Sequence, residues 1–453
     1  MGPAKECLNK YRLDICCLAF YSPSDSSRLA TFVEVLMIAS PNPRVIVIGG
    51  GPAGATASTL IAQAGHSVVL LERDRFPRFH IGESLIPETY WVLKRLNMLD
   101  KLRRGQFVKK YSVQFITEHG KLSEPFHFWD HKPHESSQTW QVLRSEFDQQ
   151  MLDNAREHGV EVHEGARVLE VLFEGTRAIG VSVQFDDGST RTIHADVVVD
   201  ASGQSSVLMD RLGLREWDDQ LKKAALWTYF EGAERGTGQD EGTTLVCQTA
   251  KKAGWFWYIP LHNNVTSVGV VADHNYLFKN RDTKDHEKIF YEEVAKCPGI
   301  KDRIAVGQRC GPFRAAKEYS YRAKECAGDG WVLIGDAFCF LDPLYSSGVL
   351  MALTSGQLAA DAIIDGFAKG DTSAAQLGSW KEGYVRGTDR MRRLVVEFYE
   401  GFSFGRFVKK HPEKKGDITD MLIGDLFHDR LDDLFVMIDK MKAEMAASPA
   451  AVE

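Results

Sequence analysis

Three glycines, Gly49, Gly51 and Gly54, satisfy G-x-G-x-x-G, and Glu72 follows the loop by about twenty residues. That spacing binds a dinucleotide. Gly49 permits the tight turn, Gly51 lets a pyrophosphate approach the backbone at a helix N-terminus, and Gly54 allows helix and strand to pack closely. The acidic side chain of Glu72 would take a ribose hydroxyl. Three further groups carry chemistry: adjacent lysines, Lys109 and Lys110; two indoles one residue apart in "GWFWYIP" (Gly254–Pro260); and consecutive amides at Ser347 and Gly348 in "DPLYSSG".

These groups need elements to hold them. Val45–Ile48 is short, continuously apolar and β-branched, as a buried parallel strand should be. A helical pattern runs from Pro52 to Ala64, Gly65 stops it, and "SVVLLE" reads as a second buried strand ending at Glu72. Strand, loop, helix, strand and acidic cap are thus all in place for a nucleotide fold. Later βα units repeat the theme: Arg144 opens a helix that leads to "VEVHEG", Val197–Val199 is a buried strand before Asp200-Ala201-Ser202-Gly203, and Trp331–Ile334 precedes Gly335-Asp336 and a helix starting near Gly348.

Bulk properties narrow the class. The 453 residues are 44% hydrophobic and 26% charged, with a formal net charge of −7. An acidic chain lacks the basic face nucleic acid requires. No apolar run approaches the roughly 18 residues of a membrane span. The eight cysteines form no C-x-x-C pair, so no zinc or dithiol motif is expected and no metal site is assigned. Reduced thiols in a cytoplasmic setting are the simplest reading. Residues 1–40 read as a poorly ordered extension, with Met37 a plausible alternative start, and "ASPAAVE" as a frayed end.

The order and combination of these segments resemble the FAD-dependent monooxygenase-like superfamily over roughly residues 43–400. The resemblance implies an α/β fold: a Rossmann-like FAD-binding domain with a central parallel sheet, an antiparallel substrate-side sheet and a helical C-terminal region. It also implies FAD contacts at Gly49, Gly51, Pro52, Ala53, Gly54, Glu72, Arg73, Arg144, Asp336, Pro343, Gly348 and Val349. "FPRFHIGESLIPE" (Phe76 to Glu88) is similar to a strap over the flavin ring, with Gly82, Glu83 and Ser84 at its core. His80 has no assigned role.

Trp255, Trp257, Ile259 and Pro260 match each defined position of the W-x-W-x-I-P signature of flavin-dependent halogenases. In that family the segment stands between flavin and substrate chambers. A monooxygenase lets an aromatic substrate meet the hydroperoxide that reduced flavin forms with O2. A halogenase must exclude it and pass only something as small as hypohalous acid, which rigid indoles can do. The alternative is that two alternate residues of a strand pack one face of a core. The family's relay lysine stands at the start of a strand after the first long helix. Here Pro87 to Arg104 reads as that helix, Tyr111 to Thr117 as the strand, and Lys110 matches, with Lys109 the alternative by a one-residue slip. Strand alternation lets only one of the pair point inward. A lysine in an apolar tunnel should have a lowered pKa. Its amine could hydrogen-bond hypohalous acid or form a haloamine. Solvated lysines at a strand edge are the plainer alternative.

By the same resemblance the amides of Ser347 and Gly348 bind halide, which suits consecutive N–H groups at a helix N-terminus. Tryptophan halogenases carry a glutamate just before this element, paired with the lysine. Tyr345 stands at that position here, which argues against free tryptophan and toward phenolic or pyrrole/aryl substrates, free or on a carrier protein. Tyr345 could pack or line the flavin edge. The implied system has FAD entering reduced, as FADH2, with O2 and halide (chloride or bromide) as co-substrates and a separate NAD(P)H flavin reductase. The expected organisation assigns 41–106, 141–220 and 307–368 to the FAD domain, 107–140 and 221–306 to the substrate-side sheet, and 369–453 to helices. Phe398, Tyr399, Phe402, Phe404 and Phe407 either wall a substrate pocket or form the inner face of packed helices. Competing functions are an FAD-dependent aromatic hydroxylase or ene-reductase, and a non-catalytic flavoprotein.

Overall fold

The computed structural model describes residues 44–447. The expectations for residues 1–40, for Met37 as a start and for the last six residues of the frayed end lie outside that range. A six-stranded sheet forms the nucleotide layer. Val45–Ile48 lies at its centre, flanked in parallel by Val68–Glu72 and Val197–Asp200, with Glu161–Glu164 and Trp331–Leu333 outside them. The strand Val45–Ile48 is buried throughout, which is why its sequence shows no polar alternation. Two helices pack together over the glycine loop. Gly356 on Gly348–Lys369 permits this approach, since a Cβ there would lie 2.6 Å from Ala53 O on Pro52–Gln63.

A nine-stranded sheet forms the second layer. It is mostly antiparallel, but Thr244–Gln248 pairs in parallel with Ser112–Ile116. It also continues past residue 306, because Arg314–Ala323 and Cys339–Phe340 extend its edge. Residues 166–194 form a separate three-stranded antiparallel sheet. Gly254–Pro260 is one strand of the large sheet, buried on both faces. Trp255, Trp257 and Ile259 face the core shared with the nucleotide layer, while Phe256 and Tyr258 face a second core with Phe290.

Two expected elements differ. The helix read from Pro87 to Arg104 is two helices, Thr89–Arg95 and Leu99–Arg104. Asn97 takes φ 61°, the Met98 N–H donates to Leu93 O and the Asn97 N–H to Lys94 O. This double bond is a helix stop of the left-handed type, built on Asn rather than Gly. The strand read as Tyr111 to Thr117 is also divided. Lys110 ends a short strand, Val108–Lys110, that pairs with Thr139–Gln141 in its own two-stranded sheet, and Ser112–Ile116 belongs to the large sheet. The chain changes sheets at Tyr111, whose carbonyl accepts the Phe128 N–H.

Candidate active site

The glycine loop is shaped by steric necessity. Gly49 takes φ 103°, and a Cβ on Gly54 would stand 2.0 Å from Gly49 O. Pro52 opens the following helix, which has no side-chain cap. Around Gly51 the nearest atom to an added Cβ is Arg78 Nη2, at 3.6 Å. An uncapped helix start, an open glycine and a guanidinium beside it fit a pyrophosphate. Arg78, which no local pattern in the sequence singles out, is held by Asp148 at 3.0 Å. Glu72 is already bonded to backbone: its two oxygens accept the Gly50 N–H at 2.7 Å and the Asp74 N–H at 2.8 Å. Each oxygen retains a lone pair for a ribose hydroxyl. Arg73 is exposed and donates to Ser205 Oγ.

Arg144 is the first residue of its helix, Arg144–Glu157. It makes a bidentate pair with buried Asp148, at 2.7 and 2.9 Å, and donates to Ile81 O in the strap. An added Cβ on Gly82 would lie 2.8 Å from Arg144 Nη1 and 3.9 Å from Val349 Cγ2. The strap therefore rests on Arg144 and the start of the long helix. Asp336 is half-buried, and desolvation pushes its pKa up to about 6 against the pull of Arg144. His80 Nδ1 pairs with Ile81 O, and desolvation together with the nearby Arg144 guanidinium lowers its pKa to about 4.

The next two strap residues engage different partners. Glu83 bonds the Tyr229 hydroxyl at 2.9 Å, and its Oε2 is buried without a partner. Burial raises its pKa to about 7, with the Ser267 and Tyr229 hydroxyls pulling the other way. Ser267 in turn accepts Trp257 Nε1–H at 3.1 Å. Ser84 meets Lys110, whose Nζ lies 2.9 Å from Ser84 Oγ and 3.0 Å from Leu85 O. Lys110 is 2% exposed, while Lys109 is exposed to solvent. Burial alone lowers the Lys110 pKa to about 7.

Three indoles stand close together beyond the strap. Trp255 and Trp257 have ring centroids 6.3 Å apart, and Trp227 is 6.1 Å from Trp257. Gly269 lies between Trp227 and Trp257 in register, and a Cβ there would enter the Trp257 ring at 2.2 Å. Trp255 Nε1–H donates to Tyr399 Oη at 2.9 Å, and the Tyr399 hydroxyl lies 3.2 and 3.3 Å from the Asp342 oxygens. Asp342 accepts the Leu344 N–H. Burial raises the Asp342 pKa to about 7. Sequence reading left Trp227, Tyr229, Asp342 and this function of Tyr399 unassigned, because each acts through a partner distant in the chain. Of the remaining C-terminal aromatics, Phe402 packs against Phe404 and Phe407.

Ser346 takes φ 57° and its N–H donates to Pro343 O. Ser347 starts the 22-residue helix Gly348–Lys369, again without a side-chain cap, and an added Cβ on Gly348 meets nothing within 4 Å. Open amides at this helix start fit a small anion and the edge of a flavin. Tyr345 is buried edge-on to Phe398 at 6.4 Å, so it packs.

A family model described as tryptophan halogenase matches residues 44–141 and 116–403. The chain belongs to the flavin-dependent halogenase family. A 1H-pyrrole-2-carbonyl-(peptidyl-carrier protein) chlorinase from Pseudomonas fluorescens is 31% identical over 426 residues, covering 89% of this chain and 93% of its own. A flavin-dependent halogenase from Armillaria mellea is 35% identical, covering 70% of this chain and 64% of its own. The structure of a myxobacterial chondrochloren halogenase superposes with TM-score 0.73 at 35% identity, covering 79% of this chain and 83% of that one. A flavin-dependent brominase does so with TM-score 0.80 at 26% identity, covering 89% and 100%. The chain is accordingly an FAD-dependent oxidoreductase of the halogenase family, with halide and O2 as co-substrates. Among the described residues no helix is long and apolar enough to cross a membrane.

Proposed function

We propose that this halogenase receives reduced FAD from a separate NAD(P)H flavin reductase and relays halogen through Lys110 to an electron-rich aromatic. Bound FADH2 supplies, with O2 and halide, hypohalous acid. The chain does the rest. The amides of Ser347 and Gly348 hold halide. Gly49, Gly51, Pro52, Ala53, Gly54 and Arg78 cradle the pyrophosphate, Glu72 takes the ribose, and the strap covers the ring. Trp255, Trp257, Ile259 and Pro260, with Trp227, exclude the aromatic while hypohalous acid passes. Lys110 takes the halogen and hands it to the ring carbon.

The observation that carries this reading is the buried Lys110 amine, bonded among the described residues to the neutral strap atoms Ser84 Oγ and Leu85 O, with its pKa lowered by burial. An amine with a pKa near 7 is substantially unprotonated at neutral pH and therefore nucleophilic. The substrate class is a phenol or a pyrrole/aryl group, free or carrier-tethered. Tyr345 in place of the tryptophan halogenases' glutamate supports it, as does the carrier-bound pyrrole in the Pseudomonas relative's name. The cytoplasm, where reduced thiols persist, is the proposed place of action.

The test supplies purified chain with a generic flavin reductase, NADH and a panel of phenols, indoles and pyrroles, with free and carrier-bound forms. Chloride and bromide are compared and products read by mass. Halogenated product lost in Lys110→Ala supports the relay. An oxygenated product that ignores halide and survives Lys110→Ala assigns the chain to aromatic hydroxylation instead.

A further inference from the structure

Lys110 is tied to more than the strap. Ser84 Oγ lies 2.9 Å from Thr244 Oγ1, and Gln141 Nε2–H donates to Thr244 Oγ1 at 2.8 Å. The same Gln141 nitrogen donates to Gly242 O at 2.8 Å. Gln141, Thr244, Ser84 and Lys110 are all buried. Gln141 and Thr244 lie on different strands, Thr139–Gln141 and Thr244–Gln248, so two sheets meet in this chain of contacts.

Gly242 O can only accept, so it fixes which end of the Gln141 amide is the donor. Thr244 Oγ1 accepts from Gln141, and either hydroxyl of the Thr244–Ser84 contact can donate. When Thr244 donates, the Ser84 proton is free to be given to a neutral Lys110 Nζ. A neutral amine completes the chain, accepting from Ser84 while one N–H donates to Leu85 O. An ammonium breaks it: Nζ has no lone pair and must donate to Ser84, so the two hydroxyls share one remaining contact and one of their two protons is left without an acceptor in the chain. Buried groups left without a partner are costly.

We propose that the Gln141–Thr244–Ser84 chain is a positioning device that presents Lys110 to hypohalous acid as a free amine. The proposal rests on the relay reading above, and it explains how a lysine without a glutamate partner is kept reactive. A carboxylate would favour the ammonium; a chain of neutral hydroxyls ending in a donor favours the amine. The step it prepares is balanced. An N–X bond forms, the O–X bond of hypohalous acid breaks, and hydroxide leaves with one amine proton as water. The N–X bond then breaks as the aromatic carbon takes X and returns its proton to the amine.

Among the described residues no charged group is bonded to the Lys110 amine. The strap brings Glu83, which bonds Tyr229, and His80, which bonds Ile81 O; the turn Gly238–Asp240 beside the Lys110 strand brings Asp240, which bonds His127. The helix Phe128–His131 brings the Phe128 ring, 5.7 Å from Nζ, with Asp130 exposed and His131 bonded to Asp420. The register partner of Lys110 is Thr139, and the neighbouring strand brings Ser112 bonded to Thr243.

The test uses cyanate, a triatomic amine reagent comparable in size to hypohalous acid, on the full chain across a pH series. Carbamoylation of Lys110 is read by peptide mass and normalised to exposed Lys109. The pH profile of product halogenation is measured in parallel. Thr244→Val is expected to raise the Lys110 midpoint by about one pH unit in both profiles, the weight of one buried hydrogen bond. Thr244→Ser restores the hydroxyl and is expected to keep the wild-type midpoint. A Thr244→Val midpoint equal to wild type overturns the proposal. So does a Thr244→Ser shift as large as that of Val, or a Lys110 closed to cyanate at every pH. Product formation that survives in Lys110→Ala overturns the relay itself, a separate result from the cyanate midpoint.

Discussion

The glycine loop and the Lys110 chamber stand at the two ends of the strap and are held by different forces. At the loop the constraints are steric and close in sequence: Gly49 and Gly54 meet each other, and an added methyl has nowhere to go. At Lys110 the constraints are polar and distant in sequence: Ser84, Gln141 and Thr244 come from separate segments and meet only in the folded chain. The loop must bind the same pyrophosphate whatever the reaction. The proposed role of the Lys110 region is to set the protonation state of one nitrogen. Sterics suffice for the first; the second draws on burial and, in the proposal above, on the hydrogen-bond chain.

If that division is right, damage to either region leaves the other's property intact. Lys110→Ala is expected to cut halogenated product about a thousandfold, the middle of the range for a lost proton-handling group. FAD affinity, followed by flavin fluorescence, should stay at the wild-type value. A matching loss of FAD affinity would break the comparison.

Gly54→Val should do the reverse. Its side chain collides with Gly49 O, so FAD affinity is expected to fall about a hundredfold, in line with overpacking costs. Carbamoylation of Lys110 should keep its wild-type midpoint.

Stability offers a sharper measure of the chamber. The folded-state pKa of Lys110 is lowered to about 7 by burial, against about 10.4 for an exposed lysine. Below about pH 7 both states carry the proton and burial of the ammonium is felt in full. Above it the folded chain sheds the proton while the unfolded chain holds it, so stability from this group rises with pH. Lys110→Met should therefore stabilise most at or below pH 7. Its advantage should shrink by about 1.2 kcal/mol between pH 7.5 and 8.5. Denaturant melts at those pH values check it, and a pH-independent difference would show that the lysine is not desolvated.

The smallest expected effect lies between the two regions. Tyr399→Phe removes the hydroxyl that joins Trp255 to Asp342. A loss of about 1 kcal/mol in stability is expected, with a change in tryptophan fluorescence and little change in FAD affinity.

The nucleotide layer was legible residue by residue. Val45–Ile48 and Val197–Asp200 are buried on both faces, so hydrophobicity alone marks them. The strand Gly254–Pro260 was legible as a motif, yet its two-faced burial required both cores to be seen. The divided helix at Asn97 was missed because the apolar pattern continues across the stop, and Asn is a weaker stop signal than Gly. The sheet change at Tyr111 was missed because strand periodicity cannot report which sheet a strand joins.

By itself the sequence determined the dinucleotide loop, the indole pair, the Ser347-Gly348 turn into a helix and the choice between two adjacent lysines as a single alternative. These rest on short spacings, and short spacings are fixed by backbone geometry wherever the chain folds. Only the tertiary structure decided that Lys110, not Lys109, is buried, that Glu83 and Ser84 engage different partners, and that Gln141 and Thr244 reach the amine. Those facts depend on contacts between segments from about 25 to about 160 residues apart, with Gln141 and Thr244 acting through Ser84, and no local spacing encodes them.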